Sequence, residues 1–201
     1  CSSNQEVLDT VIQAYKVSEA LMIPSMVILD AFVLSHTYEV VDIPDQAKVD
    51  AYLPPFKPET KLDPADPRAF GGLTSPEHYF ELRYKLQKDM EKAVDLIVKT
   101  GEEYEKMFVR KLGLMDEYMT EDADFLFLTS GTAGMTVRLA VDELRRKGIK
   151  AGNVRMRLFR PFPFEAVRKA LSKAGKVAVV DRNLSYGHHG IFFQEVKSAL
   201  Y

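Results

Sequence analysis

The chain has 201 residues, 46% of them hydrophobic and 28% charged, with a formal net charge of −2; this is a globular composition for one large domain or two small ones, without the basic excess that nucleic acid requires. No apolar run approaches the roughly 18 residues that cross a bilayer, the longest, Ile23 to Leu34, being broken by Pro24, Ser25 and Asp30, and no signal-peptide pattern opens the chain. The single cysteine, Cys1, excludes an internal disulfide framework, a cysteine-ligated zinc site and an iron–sulfur cluster held by this chain alone, and a reducing, cytoplasmic setting is the expectation.

A helix is predicted over 5–21, where Val7, Leu8, Val11, Ile12, Ala14, Tyr15, Val17 and Leu21 recur at helical spacing behind the cap candidates Ser2, Ser3 and Asn4. Because this pattern begins at once, and another runs to Tyr201 without a glycine stop, the chain is expected to be a piece of a longer protein. Met26-Val-Ile-Leu29, continuously apolar and closed by Asp30, predicts a strand buried on both faces, which Phe32-Val-Leu34 extends. Residues 42–75 form a proline-rich arm. Pro44, Pro54, Pro55, Pro58, Pro64, Pro67 and Pro76 crowd this part of the sequence, so it is neither a central strand nor a long helix. Its aromatic residues Tyr52, Phe56 and Phe70 predict an ordered arm lying over a surface.

Ser75-Pro76 starts a long amphipathic helix to about residue 110, with Tyr79, Leu82, Leu86, Met90, Ala93, Ile97, Tyr104 and Phe108 on one stripe and Gly101 as a candidate break. A domain boundary is expected near 118–122. Beyond it the pattern is β-α-β-α-β-α. Strands are expected at Phe125–Leu128, 153–159 and Val177–Val180, and helices at 133–147, at Pro163–Ala174 and at the C-terminus. This predicts a parallel sheet with right-handed crossovers.

In such a sheet ligands sit beyond the carboxyl ends of the strands. The candidates there are Ser130, Gly131 and Thr132, which place hydroxyls and free amides at a helix N-terminus where an anion could bind; the favoured reading is a tight turn with an ordinary helix cap, since the loop is neither a full phosphate-binding loop nor a full dinucleotide fingerprint. Asp181-Arg182-Asn183 and Gly187-His188-His189-Gly190 follow the last strand, and Asp30, His36 and Glu39 follow the first apolar run. Adjacent histidines without an acid or thiol at ligand spacing do not make a metal site. Arg155 and Arg157 alternate with Val154, Met156 and Leu158, which fits either a solvated edge strand or arginines paired with acidic groups.

Two blocks of residues resemble a known family. The first is Gln5-Glu6-Val-Leu-Asp9, Ile23-Pro-Ser-Met-Val-Ile-Leu-Asp-Ala-Phe-Val-Leu-Ser-His-Thr-Tyr-Glu39, Ile43-Pro-Asp-Gln46 and Leu53-Pro-Pro-Phe-Lys-Pro58. The second is Glu121-Asp-Ala-Asp124, Val137-Arg138, Ala140-Val-Asp-Glu-Leu144, Arg157-Leu-Phe-Arg-Pro-Phe-Pro163 and Val179-Val-Asp-Arg-Asn183. Together they resemble the alpha subunit of the multi-subunit pyruvate:ferredoxin oxidoreductases, over essentially the whole chain. Where that family reads Leu-Asp-Gly-Phe, this chain has Leu29-Asp-Ala31-Phe.

The resemblance implies an α/β architecture in four parts. Residues 1–41 would be the end of a thiamine-enzyme pyrimidine-binding domain, 42–75 the arm, 76–118 a connecting helix, and 119–201 a parallel domain like the C-terminal domain of transketolase. It implies oxidation of pyruvate with coenzyme A to acyl-CoA, carbon dioxide and reduced ferredoxin. The cofactors implied are thiamine diphosphate, magnesium and iron–sulfur clusters, held by other subunits or by an N-terminal half not present here, so no catalytic residue is assigned. The partners implied are beta, gamma and delta subunits and ferredoxin. A branched-chain 2-oxo acid relative shares much of the first block. A flavodoxin-like phosphate-binding module and a purely structural assembly domain are the alternatives.

Overall fold

A computed structural model describes residues 1–58 and 60–201. Helix α1 (Asn4–Leu21) begins where Ser3, in extended backbone, accepts from the Glu6 amide, and it ends at Met22 in the left-handed region. α2 (Gln46–Tyr52) is capped by the Asp45 carboxylate, which accepts from the Lys48 amide. α3 (Pro76–Phe108) carries proline in its first turn. It runs against α1 in the opposite direction: Asp9 meets Tyr104, and Gln13 donates to Thr100 and to the Ile97 carbonyl.

The core between these helices holds Ile12, Tyr52, Tyr104, Phe108 and Leu112. Tyr52 and Tyr104 pack edge to face, with ring centroids 5.4 Å apart. The buried face of α1 is only half apolar. Asp9, Ile12, Gln13 and Val17 point inward, while Val11 and Tyr15 are exposed. The polar pair is tolerated because every buried group finds a partner on α3 or just beyond it.

α3 is continuous through Gly101, which is buried against the segment that follows the helix. A Cβ at Gly101 would collide with the Leu112 carbonyl oxygen. The glycine therefore allows a close backbone approach and does not break the helix. Gly101→Ala is expected to lower the thermal midpoint. Overpacking costs typically 1–3 kcal/mol, against roughly 1 kcal/mol gained from alanine's helix propensity. An unchanged or raised midpoint in a thermal melt would rule out this close approach.

The second half of the chain builds one four-stranded sheet in the order β1-β3-β2-β4, from β1 (Met115–Tyr118), β2 (Phe125–Ser130), β3 (Ala151–Met156) and β4 (Lys176–Val179). β2 pairs parallel with both β3 and β4, and β1 pairs antiparallel with β3. Helices α4 (Ala133–Arg146), α5 (Phe164–Leu171) and α6 (Ile191–Leu200) connect or follow the strands. Alternation along the strands divides the sheet's faces. Leu126, Leu128, Val154 and Met156 face α5 and α6 in an apolar core with Val167, Leu171, Val196 and Ala199. The opposite face mixes the Phe125 and Phe127 rings with polar side chains. There Thr129 Oγ1 donates to Asn153 Oδ1, and Asn153 Nδ2 donates to the carbonyl of Gly134 on α4.

One further expectation is corrected and one open alternative is decided. Residues 26–29 are not a strand. They have no regular structure, and Met26 and Ile28 are exposed. Apolar content makes a buried strand only when neighbouring strands take up its backbone groups, and among the described residues β1 and β4 pair with nothing on their outer edges. β3 is an inner strand with all six residues buried, not a solvated edge. Its arginines are the paired alternative.

Candidate functional site

The chain goes from β2 through α4 to β3 on one side, then returns through α5 to β4 on the other side of β2. The strand order therefore reverses between β2 and β4, and the crevice at their carboxyl ends is the topological switch point, where open α/β sheets receive ligands. Ser130, Gly131 and Thr132 lie on the β2 side; Asp181, Arg182 and Asn183 lie on the β4 side.

The crevice is filled from within the chain. Asp30 sends its carboxylate to the start of α4, where Thr132 donates its amide at 2.8 Å and its hydroxyl to the same oxygen. Arg182 Nη2 donates to the other oxygen at 2.5 Å. Burial alone would raise the Asp30 carboxyl pKa; the Thr132 hydrogen bonds and the Arg182 charge outweigh it and hold the group below its ordinary value. Gly131 has φ +58°, and a Cβ there would lie 2.8 Å from the carboxylate. Both facts require glycine.

The neighbouring candidates have local tasks. Asp181 Oδ2 accepts from the Phe192 amide, and Asn183 Oδ1 from the Ile191 amide, so both cap α6. His188 Nδ1 accepts from the His189 amide and the two rings sit edge to face, exposed. Glu39 accepts from the Asn4 amide at the start of α1, and His36 stacks on Phe32.

A second cluster joins α1 to the sheet. Arg155 projects from β3 with its side chain 5% exposed and meets Glu6 through both Nη atoms, at 3.0 and 3.1 Å, and also Asp116 of β1. Arg157 donates to Glu6, to the Gly113 carbonyl and to Thr10 Oγ1. Arg138 of α4 lies 3.8 Å from Asp116. Burial would raise the Glu6 carboxyl pKa, but Arg155 and Arg157 together hold it at about 2. Beside this cluster Asp9 accepts from Tyr104 and Arg110, and Arg110 reaches on to Asp42. Composition and periodicity did not mark Glu6, Asp9 or Asp116 as a group. The one available signal was the alternation of Arg155 and Arg157 with apolar residues in a strand.

A cavity of about 250 Å³ lies along this cluster, lined among others by Ser3, Glu6, Arg110, Asp116, Arg138 and Arg155. Another of about 220 Å³ lies between β4 and α6, lined by Val177, Val179, Phe193 and Val196. Both are smaller than the roughly 300 Å³ at which cofactor pockets begin. Among the described residues no group of three or more His, Cys, Asp or Glu is placed to hold a metal ion, and Cys1 is the only thiol. These residues do not by themselves fit a complete thiamine diphosphate–magnesium site or an iron–sulfur cluster.

The two halves of the chain match two family models in succession. Residues 1–102 match the thiamine diphosphate-binding domain of pyruvate flavodoxin/ferredoxin oxidoreductase, and residues 123–201 match pyruvate:ferredoxin oxidoreductase core domain II. The chain belongs to the pyruvate flavodoxin/ferredoxin oxidoreductase family. It is 42% identical over 200 residues to pyruvate synthase subunit PorA of Methanothermobacter thermautotrophicus, covering 98% of this chain and 52% of that protein. It is 47% identical over 201 residues to ketoisovalerate oxidoreductase subunit VorA of Pyrococcus horikoshii, covering 99% and 51%. The PorA subunit of Methanosarcina barkeri is 44% identical, with 98% and 50% covered. The chain thus spans about half the length of the curated relatives it matches. The Glu6–Arg155–Arg157 cluster connects a helix of the family's first matched region to the sheet of its second.

Proposed function

We propose that this chain is part of the alpha subunit of a 2-oxoacid:ferredoxin oxidoreductase. The reaction joins the acyl group of a 2-oxo acid to coenzyme A, releases carbon dioxide and passes two electrons to ferredoxin. The observation that carries this reading is the ordered match of both halves to the family's two domains. Thiamine diphosphate supplies the carbanion chemistry when bound. The chain's own residues contribute the joint between the two units: Glu6, Arg155, Arg157 and Asp116 on one side, and Asp30, Thr132 and Arg182 on the other.

In this reading residues 1–41 end the pyrimidine-binding domain, 42–75 form an arm, 76–118 connect, and 119–201 form a domain like the C-terminal domain of transketolase. The parallel pairing of β3, β2 and β4 supports that last assignment. Magnesium and the iron–sulfur clusters belong to beta, gamma and delta partner subunits, and ferredoxin accepts the electrons of a cytoplasmic complex. The exposed Met26, Ile28, Phe32 and Val33 support a face that the rest of the enzyme covers. Relatives named for pyruvate and for ketoisovalerate are similarly close, so the substrate class is a 2-oxo acid, with pyruvate as the first substrate to test.

The chain alone is expected to be inert, because no side chain supplies the electron sink that decarboxylation needs. Reconstitution with thiamine diphosphate, magnesium, coenzyme A, a viologen dye and either pyruvate or ketoisovalerate tests both points. Dye reduction is expected from the assembled subunits and not from the purified chain. Reduction by the chain alone, or none by an assembly that contains it, would overturn the proposal.

A further inference from the structure

Segment 22–41 has no regular strand or helix, and Leu34 is its only buried residue. Its local turns are hydrogen-bonded, with the Leu34 amide donating to the Asp30 carbonyl and the His36 amide to the Phe32 carbonyl. What ties it to the sheet is Asp30. Its carboxylate takes the Thr132 amide, the Thr132 hydroxyl and Arg182, and its side chain is 16% exposed. Those donors are the ones an open α/β sheet offers to an anionic ligand at its switch point. Gly131, with φ +58°, has no side chain to hold the carboxylate off.

We propose that this crevice is a receptor for the chain's own Asp30, a latch that fixes segment 26–36 to the second unit, and is not a phosphate site. The carboxylate uses both donors of Thr132 and takes the guanidinium charge, so an incoming oxyanion would have to displace a tethered, charged competitor. A tethered group acts at a high effective concentration, which a free anion of similar chemistry does not match at ordinary levels. The latch is independent of which reaction the subunit serves.

The test is hydrogen exchange on the 201-residue chain for Asp30→Ala, Arg182→Gln and the double variant, with phosphate titration alongside. The Thr132, Leu34 and His36 amides are expected to exchange at least tenfold faster in each single variant. Amides in the last two turns of α3 should be unchanged, and the double variant should add little to the larger single effect. Inorganic phosphate should shift the Thr132 amide resonance of Asp30→Ala at concentrations at least tenfold below any that shift the unaltered chain. Exchange at Leu34 and His36 within twofold of the unaltered chain in Asp30→Ala overturns the latch. So does phosphate binding at Thr132 as tight in the unaltered chain as in the variant, which would make the crevice an ordinary anion site.

Discussion

Glu6→Gln is expected to destabilise the folded chain by about 3 kcal/mol at neutral pH, since removing one partner of a buried ion pair leaves an uncompensated charge worth roughly 3–5 kcal/mol. Here two guanidiniums lose their shared carboxylate. Arg155 and Arg157 are 5% and 7% exposed, and Glu6 is 11% exposed, so water cannot replace the missing charge cheaply. Asp116 remains for Arg155 and the Gly113 carbonyl for Arg157, which keeps the cost near the lower end. The same carboxylate sets an acid limit. Its pKa is about 2 in the folded chain against 4.5 as an ordinary glutamate. A carboxyl depressed on folding stabilises fully above its unfolded pKa, so this contribution is complete above about pH 4.5 and fades as pH falls through about 2. Its size is on the order of 3 kcal/mol at 1.36 kcal/mol per unit. Urea unfolding at pH 7, 4.5 and 2.5 should therefore show the gap between the two proteins closing in acid. A variant within 1 kcal/mol of the unaltered chain at pH 7, or a gap that does not narrow in acid, would show that the cluster is not a structural joint.

Tyr52→Ala should cost about 4 kcal/mol, in the range for removing a large buried aromatic ring. Tyr52 carries α2 into the first core, beside the partly buried Val49 and Leu53. It is fully buried, packs edge-on to both Tyr104 and Phe108, lies under the Lys16 ammonium 4.0 Å from the ring centroid, and donates its hydroxyl to the Thr100 carbonyl. Tyr52→Phe keeps the packing and loses only that hydrogen bond, at about 1 kcal/mol. The pair separates packing from polarity. Burial also pushes the Tyr52 phenol up to about 12 from 10.0. A raised phenol stabilises fully below pH 10 and loses that contribution as pH rises through 12. The phenylalanine variant is therefore expected to lose less stability than the unaltered chain between pH 10 and 12. Equal losses for the alanine and phenylalanine variants would mean that the ring's packing contributes nothing and that α2 is not anchored here.

Several elements were legible without coordinates because their determinants are local. Ser3 at the cap and the apolar spacing behind it announce α1; Ser75-Pro76 and one uninterrupted stripe announce α3; Phe125-Leu-Phe-Leu128 and Val177-Ala-Val-Val180, each closed by polar residues, announce the central strand and one edge of the sheet. The ordered motifs of the two blocks carried the family. β1 was not legible, because Met115-Asp-Glu-Tyr118 has neither alternation nor an apolar run; it is a strand only because β3 offers it an open edge. The Met26–Leu29 run failed in the opposite sense, having the composition of a strand and no neighbour to pair with.

The chain sequence by itself thus determined α1, α3 and the helices of the second half, the parallel β-α-β order and the family, all properties of residues close together or of motifs in fixed order; the short α2 (Gln46–Tyr52), inside the proline-rich stretch, was not legible. Only the tertiary structure decided the electrostatics. Glu6 meets Arg155 149 residues away, and Asp30 meets Arg182 152 residues away. At such separations no local propensity says which carboxylate neutralises which guanidinium. The choice is made by the topology of the sheet, which carries β3 to the middle and β4 across to the far side of β2, and so places one arginine under α1 and the other at the switch point.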